Sequence, residues 1–499
     1  MKKILPLLLA ATIALIIGIF FSYRILETPP GLTIDEASIG YNAVLISKTL
    51  RDETGRLLPV FPLTIDGRDW KQPSSVYATA IIFKLFGASI YNLRLVSILT
   101  AMVSLALVVL LNYLLLGKKG AWVSCALFLT APIVLMHSHL AQENIMPIPF
   151  VTAWLIGILL FKKGRGLKYI ILSGLLLGMG IYSYKGMRAI VPSLTIVTAI
   201  YLLLTENWKS SSKSFLSHLI PMIFFCFGML PFILIMPWIN AHYAGALFDT
   251  QSFHIQKYYD FLYPYISSFD VSALFIKGDT TVWHSTGLHG VFLISTLPIF
   301  IIGLFSAYRQ KIYDHFWIFL LAGFFLSPLL FGQVGSVYRF SRLLVLVPFF
   351  VSFCTLGLIA LSKVSRGKFI VSVMALFIVY NYVDFIRYYW YEYPKYSEAY
   401  FLPSNTVGDA YLYLSRVARK NNLTPYIASG TFSADGHTGN FLEAAYFDAP
   451  LKTWLPEQPL PVKSIVMAKL GHQDKLKTIG PVIYEYRFFV NEGENIIEL

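Results

Sequence analysis

Two neighbouring carboxylates, Asp35-Glu36, and a second charged stretch, Asp66-Gly67-Arg68-Asp69-Trp70-Lys71-Gln72-Pro73, form the sharpest constellation in the sequence. Carboxylates beside apolar segments gain proton affinity through desolvation and mutual repulsion, and nearby Lys and Arg pull it back down. A carboxylate tuned in this way is a good general base. The alternative for the pair is structural: Asp35 caps a helix, and Glu36 favours its first turn through the helix dipole. Spacing alone leaves both readings open. Nothing in the chain cradles a nucleotide. There is no Walker A run, no G-x-G-x-x-G after a strand and no D-x-D pair to hold a metal-bound diphosphate.

The elements that must position these residues follow from composition. Of 499 residues, 56% are hydrophobic and 13% charged, against roughly 25% charged in a soluble domain. The apolar residues fall in long runs that give about eleven spans: 4–22, 94–116, 121–137, 147–161, 169–184, 189–204, 216–238, 290–307, 315–332, 342–361 and 369–386. The first follows Lys2 and Lys3 and lacks a small-residue cleavage site, so it reads as an uncleaved span. With the amino terminus inside, Lys118, Lys119, Lys162, Lys163, Arg165, Lys168, Lys209, Lys213, Arg309, Lys311, Lys363, Arg366 and Lys368 all fall on the cytoplasmic side, accompanied only by Glu206 and Asp314. The net charge of +13 is then an orientation signal, and nucleic acid is not a partner. Cys125, Cys226 and Cys354 lie inside apolar runs and form no disulfide framework.

The same assignment puts the carboxyl terminus and nearly all acids on the outer side of a cell membrane. That face carries a loop over 23–93, short turns at 137–147, 182–188 and 332–342, a loop over 239–289 and a tail from 387. Residues 35–50 are helix-competent, with Ile39, Ala43 and Ile46 at helical spacing, and Ser74 to Leu85 reads as an amphipathic helix in the interface. In the tail, a helix over Asn405 to Asn421 and strands near 425–428, 464–467 and 484–488 predict a small α/β domain. The expected fold is an all-α polytopic membrane domain, 1–386, followed by an extracytoplasmic domain, 387–499.

Several motifs at the outer boundaries resemble those of the GT-C glycosyltransferases, in the branch of protein O-mannosyltransferases and lipid A aminoarabinose transferases (glycosyltransferase family 39). Asp35-Glu36 resembles the early acidic pair of that branch. Lys71-Gln72-Pro73 resembles its Lys-Pro-Pro element, with Gln72 where proline is usual. His137-Ser138-His139-Leu140-Ala141-Gln142-Glu143 resembles its second acidic site, Tyr182-Ser183-Tyr184-Lys185-Gly186-Met187-Arg188 a third motif, and Tyr338-Arg339-Phe340-Ser341-Arg342 a fourth. The resemblance spans the membrane part in order and thins in the tail. It implies GT-C architecture and a sugar transferase, with Glu143 in the second acidic site and Asp69, His139 and Tyr184 as substrate-positioning residues.

Physical chemistry points to a donor. The outer side has no pool of nucleotide sugars, so an activated sugar arrives on a carrier that has crossed the bilayer, and a polyprenyl phosphate fits. Its phosphate needs cations, for which Lys71, Lys185, Arg188, Arg339 and Arg342 are candidates at outer boundaries; the alternative for each is anchoring at the interface. Phosphate leaves as a stable anion, so one base suffices to deprotonate an acceptor hydroxyl. Asp35 is assigned that role, with Glu36 and Glu143 positioning acceptor or donor, and displacement inverts the anomeric carbon. The acceptor is a glycan, lipid or protein, and membrane lipids surround the spans. No cofactor is required; a divalent cation on Asp69 and a loop histidine (His242, His254, His284 or His289) is the alternative, with no metal-ligand spacing behind it. Trp70 and Trp283 are candidates for sugar stacking, whereas Tyr388, Tyr389, Trp390, Tyr391 and Tyr393 read as an interfacial belt. The competing function is a multi-pass transporter or flippase of lipid-linked sugar, which would place ionisable residues near the midplane and show two related halves; neither feature is present in the sequence.

Overall fold

The structure, a computed structural model, describes residues 4–205, 215–247, 257–310, 314–335, 337–401, 405–429, 436–455, 457–459, 461–469, 482–483, 486–491 and 496–498. Lys2, Lys3, Glu206, Lys209, Lys213, His254 and Lys311 lie outside these residues. Helices dominate: α1 (Ile4–Ser22), α2 (Ile34–Thr49), α3 (Pro73–Phe86), α4 (Ile90–Leu129), α5 (Pro132–Ser138), α6 (Pro147–Lys162), α7 (Lys168–Gly180), α8 (Met187–Thr205), α9 (Phe215–Leu234), α10 (Met236–His242), α11 (Tyr258–Ser267), α12 (Leu297–Gln310), α13 (His315–Leu326), α14 (Leu329–Val334), α15 (Val347–Leu361), α16 (Gly367–Arg387), α17 (Tyr393–Ser397), α18 (Asn405–Asn421) and α19 (Gly436–Tyr446).

Among the described residues seven helical stretches are long and apolar enough to cross a bilayer, and the chain is a multi-pass membrane protein. The sequence reading gave about eleven spans. Part of the difference lies in α4, whose 40 residues would run about 60 Å, twice a hydrocarbon core. Gly117, at φ 72° and ψ −161°, breaks it beside Lys118 and Lys119. Other expected spans meet helices that are too short, such as the 13-residue α7 and the 14-residue α12.

The chain divides into two compact units. The first comprises residues 1–23, 72–75 and 97–391, which hold the long helices. Its helices cross at small residues. A methyl group on Gly174 would overlap the Phe225 carbonyl, and one on Gly228 the Ile171 carbonyl, so α7 and α9 pack backbone to backbone. Gly303 and Gly357 do the same for α12 and α15. Beside them Phe300 and Phe350 stack with centroids 4.8 Å apart.

The second unit comprises residues 24–71, 76–96 and 392–499. Residues 24–71 thus group with the tail, whereas the sequence reading assigned them to the span domain. The α2 helix buries Ile39, Ala43 and Ile46, the three positions picked out by spacing. It packs on α19, where any side chain at Gly40 would meet the Phe441 ring at 2.8 Å. Strands β1 (Leu63–Thr64) and β2 (Asp69–Trp70) form a short antiparallel ladder. In the tail, β3 (Thr424–Ala428), β4 (Lys452–Trp454), β5 (Ser464–Lys469), β6 (Val482–Ile483), β7 (Tyr486–Asn491) and β8 (Ile496–Glu498) form one sheet. Its order is β4-β3-β5-β7-β6, with β8 also on β7. The β3, β4 and β5 strands are parallel, and α19 lies in the crossover between β3 and β4. The α18 helix has the bounds read from sequence; of the strand expected over 484–488, residues 486–488 lie in β7, and 484 and 485 lie outside the described residues. The α19 helix was not anticipated.

Candidate active site

Within the second unit, Asp35 is the second residue of α2, whose amino end is built for carboxylates. Thr33 caps the helix through a reciprocal box: its hydroxyl accepts from the Glu36 N–H at 3.2 Å, and its own N–H donates to Glu36 Oε2 at 3.0 Å. Glu36 Oε1 accepts from Arg94 Nε at 3.0 Å, and both side chains are fully buried. The remaining guanidinium nitrogens donate to the carbonyls of Ile25, Pro29 and Gly31. Arg94 therefore ties the segment entering α2 to its first turn. Glu36 was read as a residue positioning acceptor or donor. It is fully buried and engaged by Thr33 and Arg94; the alternative had Asp35 as the cap, whereas the capping residue is Thr33. Arg94 acts through this pair.

One residue earlier, Asp35 leaves about half of its carboxylate side chain exposed (49%). Its Oδ1 pairs with Lys71 Nζ, and the same ammonium reaches Asp69 Oδ2 at 2.8 Å. The Lys71 side chain is 4% exposed. Its main-chain N–H donates to the Pro62 carbonyl at 2.9 Å, and Asp69 is held by the β1–β2 ladder opposite Thr64. A buried cation thus sits between two carboxylates. Lys71 was expected to meet a donor phosphate, but here it is bound to Asp35 and Asp69. Trp70, a stacking candidate, has the Arg56 guanidinium 5.3 Å from its ring centroid.

A separate group forms in the first unit. Glu143 opens a short turn, Glu143–Ile145, that packs against the turn Phe340–Leu346 carrying Arg342. The Glu143 carboxylate accepts from the main-chain N–H of Gln72. Gln72 Oε1 accepts from Arg188 Nη2 at 3.0 Å, and Arg188 Nη1 donates to the Leu247 carbonyl at 3.1 Å. The departure from the family pattern at position 72 matters here, because a proline would have neither the N–H that reaches Glu143 nor the amide that holds Arg188. Sequence reading noted the substitution without finding this use for it.

The remaining candidates are spread over the first unit. Lys185 and Arg342 are exposed, and Arg339 is half-buried at the cap of the Phe340 turn. That turn is held by Asp279, whose Oδ2 accepts from the Ser341 N–H at 2.8 Å while its Oδ1 accepts from Thr281. Thr280 also donates to the Tyr338 carbonyl at 3.1 Å. Asp279 lacked any motif signal. His139 is fully buried, with Nε2 2.9 Å from the Phe21 carbonyl, and Tyr184 is 9% exposed. His137 is stacked on His284 with centroids 5.0 Å apart, His242 on Trp238, and His289 pairs with Asp384 at 3.2 Å. Among the described residues, no three His, Cys, Asp or Glu side chains gather as a metal-binding group.

The fold is similar to that of ArnT from Cupriavidus metallidurans. Its apo crystal structure matches with a TM-score of 0.53 at 12% identity over 94% of each chain. The form bound to undecaprenyl phosphate gives 0.50 at 11%, over 92% of this chain and 93% of that one. The likeness to ArnT is one of fold, and the motifs at the outer boundaries resemble those of the GT-C glycosyltransferases. The sequence pattern of the dolichyl-phosphate-mannose-protein mannosyltransferase family matches residues 71–238. The matched stretch includes Lys71, Gln72, His139, Glu143, Tyr184, Lys185 and Arg188 and leaves Asp35, Glu36, Asp69, Arg339 and Arg342 outside. A comparison with curated protein sequences finds no match.

Proposed function

We propose that the protein transfers a sugar from a polyprenyl-phosphate carrier to an acceptor hydroxyl on the extracytoplasmic side of the membrane, with its amino terminus in the cytoplasm. The observation that carries this reading is the arrangement of Asp35, with one oxygen on a buried ammonium and half its surface open, on a helix end fixed by Glu36 and Arg94. In the step proposed, the acceptor hydroxyl gives its proton to Asp35 as its oxygen bonds to the anomeric carbon. The carbon–oxygen bond to phosphate breaks on the opposite face, the configuration inverts and polyprenyl phosphate departs as an anion. No second acid is needed for a leaving group that is already stable.

Lys71 and Asp69 orient Asp35, and Glu36 acts through the backbone of the same turn. Glu143 positions Gln72, and Arg188, Arg339, Arg342 and Lys185 supply positive charge toward the phosphate. Support for a lipid-phosphate donor comes from the matched family description and from the undecaprenyl phosphate bound by the ArnT structure. The testing experiment incubates purified protein with a labelled polyprenyl-phosphate sugar and an envelope extract as acceptor source. Acceptor-dependent release of free polyprenyl phosphate is expected. Movement of intact lipid-linked sugar across a vesicle without release would instead indicate a flippase.

A further inference from the structure

Gln72 is fully buried, and three of its four polar groups are accounted for: its N–H donates to Glu143, its carbonyl accepts from Ser75 Oγ at 3.1 Å, and its Oε1 accepts from Arg188 Nη2. Because guanidinium only donates, the bond to Arg188 fixes which end of the amide is oxygen. The other end, Nε2, is buried and meets no acceptor among the described residues. Buried donors are rarely left unmatched, because losing water without gaining a partner costs free energy. An N–H beside a guanidinium sits in a positive field and prefers an anionic oxygen, with which it forms a charge-assisted bond.

We propose that Gln72 Nε2 is a binding group for the phosphate of the lipid-linked donor, donating to one of its oxygens next to Arg188. The inference rests on the reading of Arg188 as a phosphate cation. It also gives the non-proline residue at this position a specific use, since proline can supply no such donor.

The test measures binding of polyprenyl phosphate, and of the uncharged polyprenol of equal length, to the full-length protein and to Gln72→Met and Gln72→Glu. Gln72→Met removes the donor without adding charge. Gln72→Glu is isosteric and keeps an oxygen for Arg188, so it serves if the methionine variant does not fold. Each variant is first matched to wild type by melting temperature. The expected result is affinity for polyprenyl phosphate at least about tenfold weaker in both variants, as for loss of a bond to a charged group, with polyprenol binding changed less than about twofold. Unchanged phosphate binding in the variants would show that water satisfies Nε2 and would overturn the inference alone. Equal losses on phosphate and polyprenol would overturn it too, by revealing a packing role. Failure of the wild type to bind polyprenyl phosphate would overturn the underlying reading of the site.

Discussion

Arg94 and Glu36 meet at 3.0 Å with neither side chain exposed, and this pair, rather than the exposed surface of the loop, fixes the helix turn that presents Asp35. Removing one partner of a buried pair leaves an uncompensated charge, at a cost of about 3–5 kcal/mol. Arg94→Ala is therefore expected to lower the melting temperature and abolish transfer together. Arg94→Lys should restore neither, because one ammonium cannot reproduce a fork that also reaches the carbonyls of Ile25, Pro29 and Gly31. Thermal unfolding in detergent, read beside activity, checks this, and a fully active lysine variant would contradict it.

Gln72→Pro introduces the residue usual at this position in the family the motif resembles and is nevertheless expected to reduce transfer. It removes the N–H bonded to Glu143 and the amide bonded to Arg188. Two hydrogen bonds to charged groups are lost, each typically about 1.5–3 kcal/mol, so kcat/KM should fall by about a hundredfold or more. The same rate in the proline variant would mean that this network does not matter.

Asp279 holds the turn bearing Arg339 and Arg342 by accepting from the Ser341 N–H. Loss of a cap of this kind costs about 1 kcal/mol. Asp279→Ala should raise the KM for the lipid donor about fivefold with kcat little changed, and Asp279→Asn, which keeps an acceptor oxygen, should recover most of the loss. Steady-state kinetics with varied donor separates these outcomes.

Burial raises the Glu53 carboxyl above its ordinary value of 4.5, against the opposing pull of its bonds to Thr64 and Asn42 and of His437. The fold thus holds this proton to higher pH than the unfolded chain does. Stability tied to Glu53 is present below its ordinary value and is lost as pH rises through its raised value. Glu53→Gln should therefore gain melting temperature relative to wild type as pH rises through that window, and a gap that closes instead would reverse the sign.

Part of the fold was legible in the chain: the long apolar runs, which bilayer physics writes plainly, and Ile39, Ala43 and Ile46 at helical spacing. The Asp35-Glu36 pair was visible for its chemistry, yet its two members part company in the structure. Adjacent residues on a helix point about 100° apart, so one faces Arg94 and the other Lys71. Arg94 lies 58 residues from Glu36, and Asp279 lies 62 from Ser341; partners so distant leave no local pattern. The α19 helix was missed because its first turns are Gly436, His437, Thr438, Gly439 and Asn440, weak helix formers that are held by packing against α2. His139 carried a motif's signal, but its contact with the Phe21 carbonyl, 118 residues away, left none.

The central claim is that Asp35 is the base. It is tested most directly by single-turnover transfer with Asp35→Asn, which retains the shape of the side chain, in protein whose melting temperature and polyprenyl-phosphate binding equal those of wild type. The account predicts a loss of about 10²–10⁴-fold in the transfer rate, the range for a general base, with donor binding preserved. Transfer by Asp35→Asn at near the wild-type rate would contradict it.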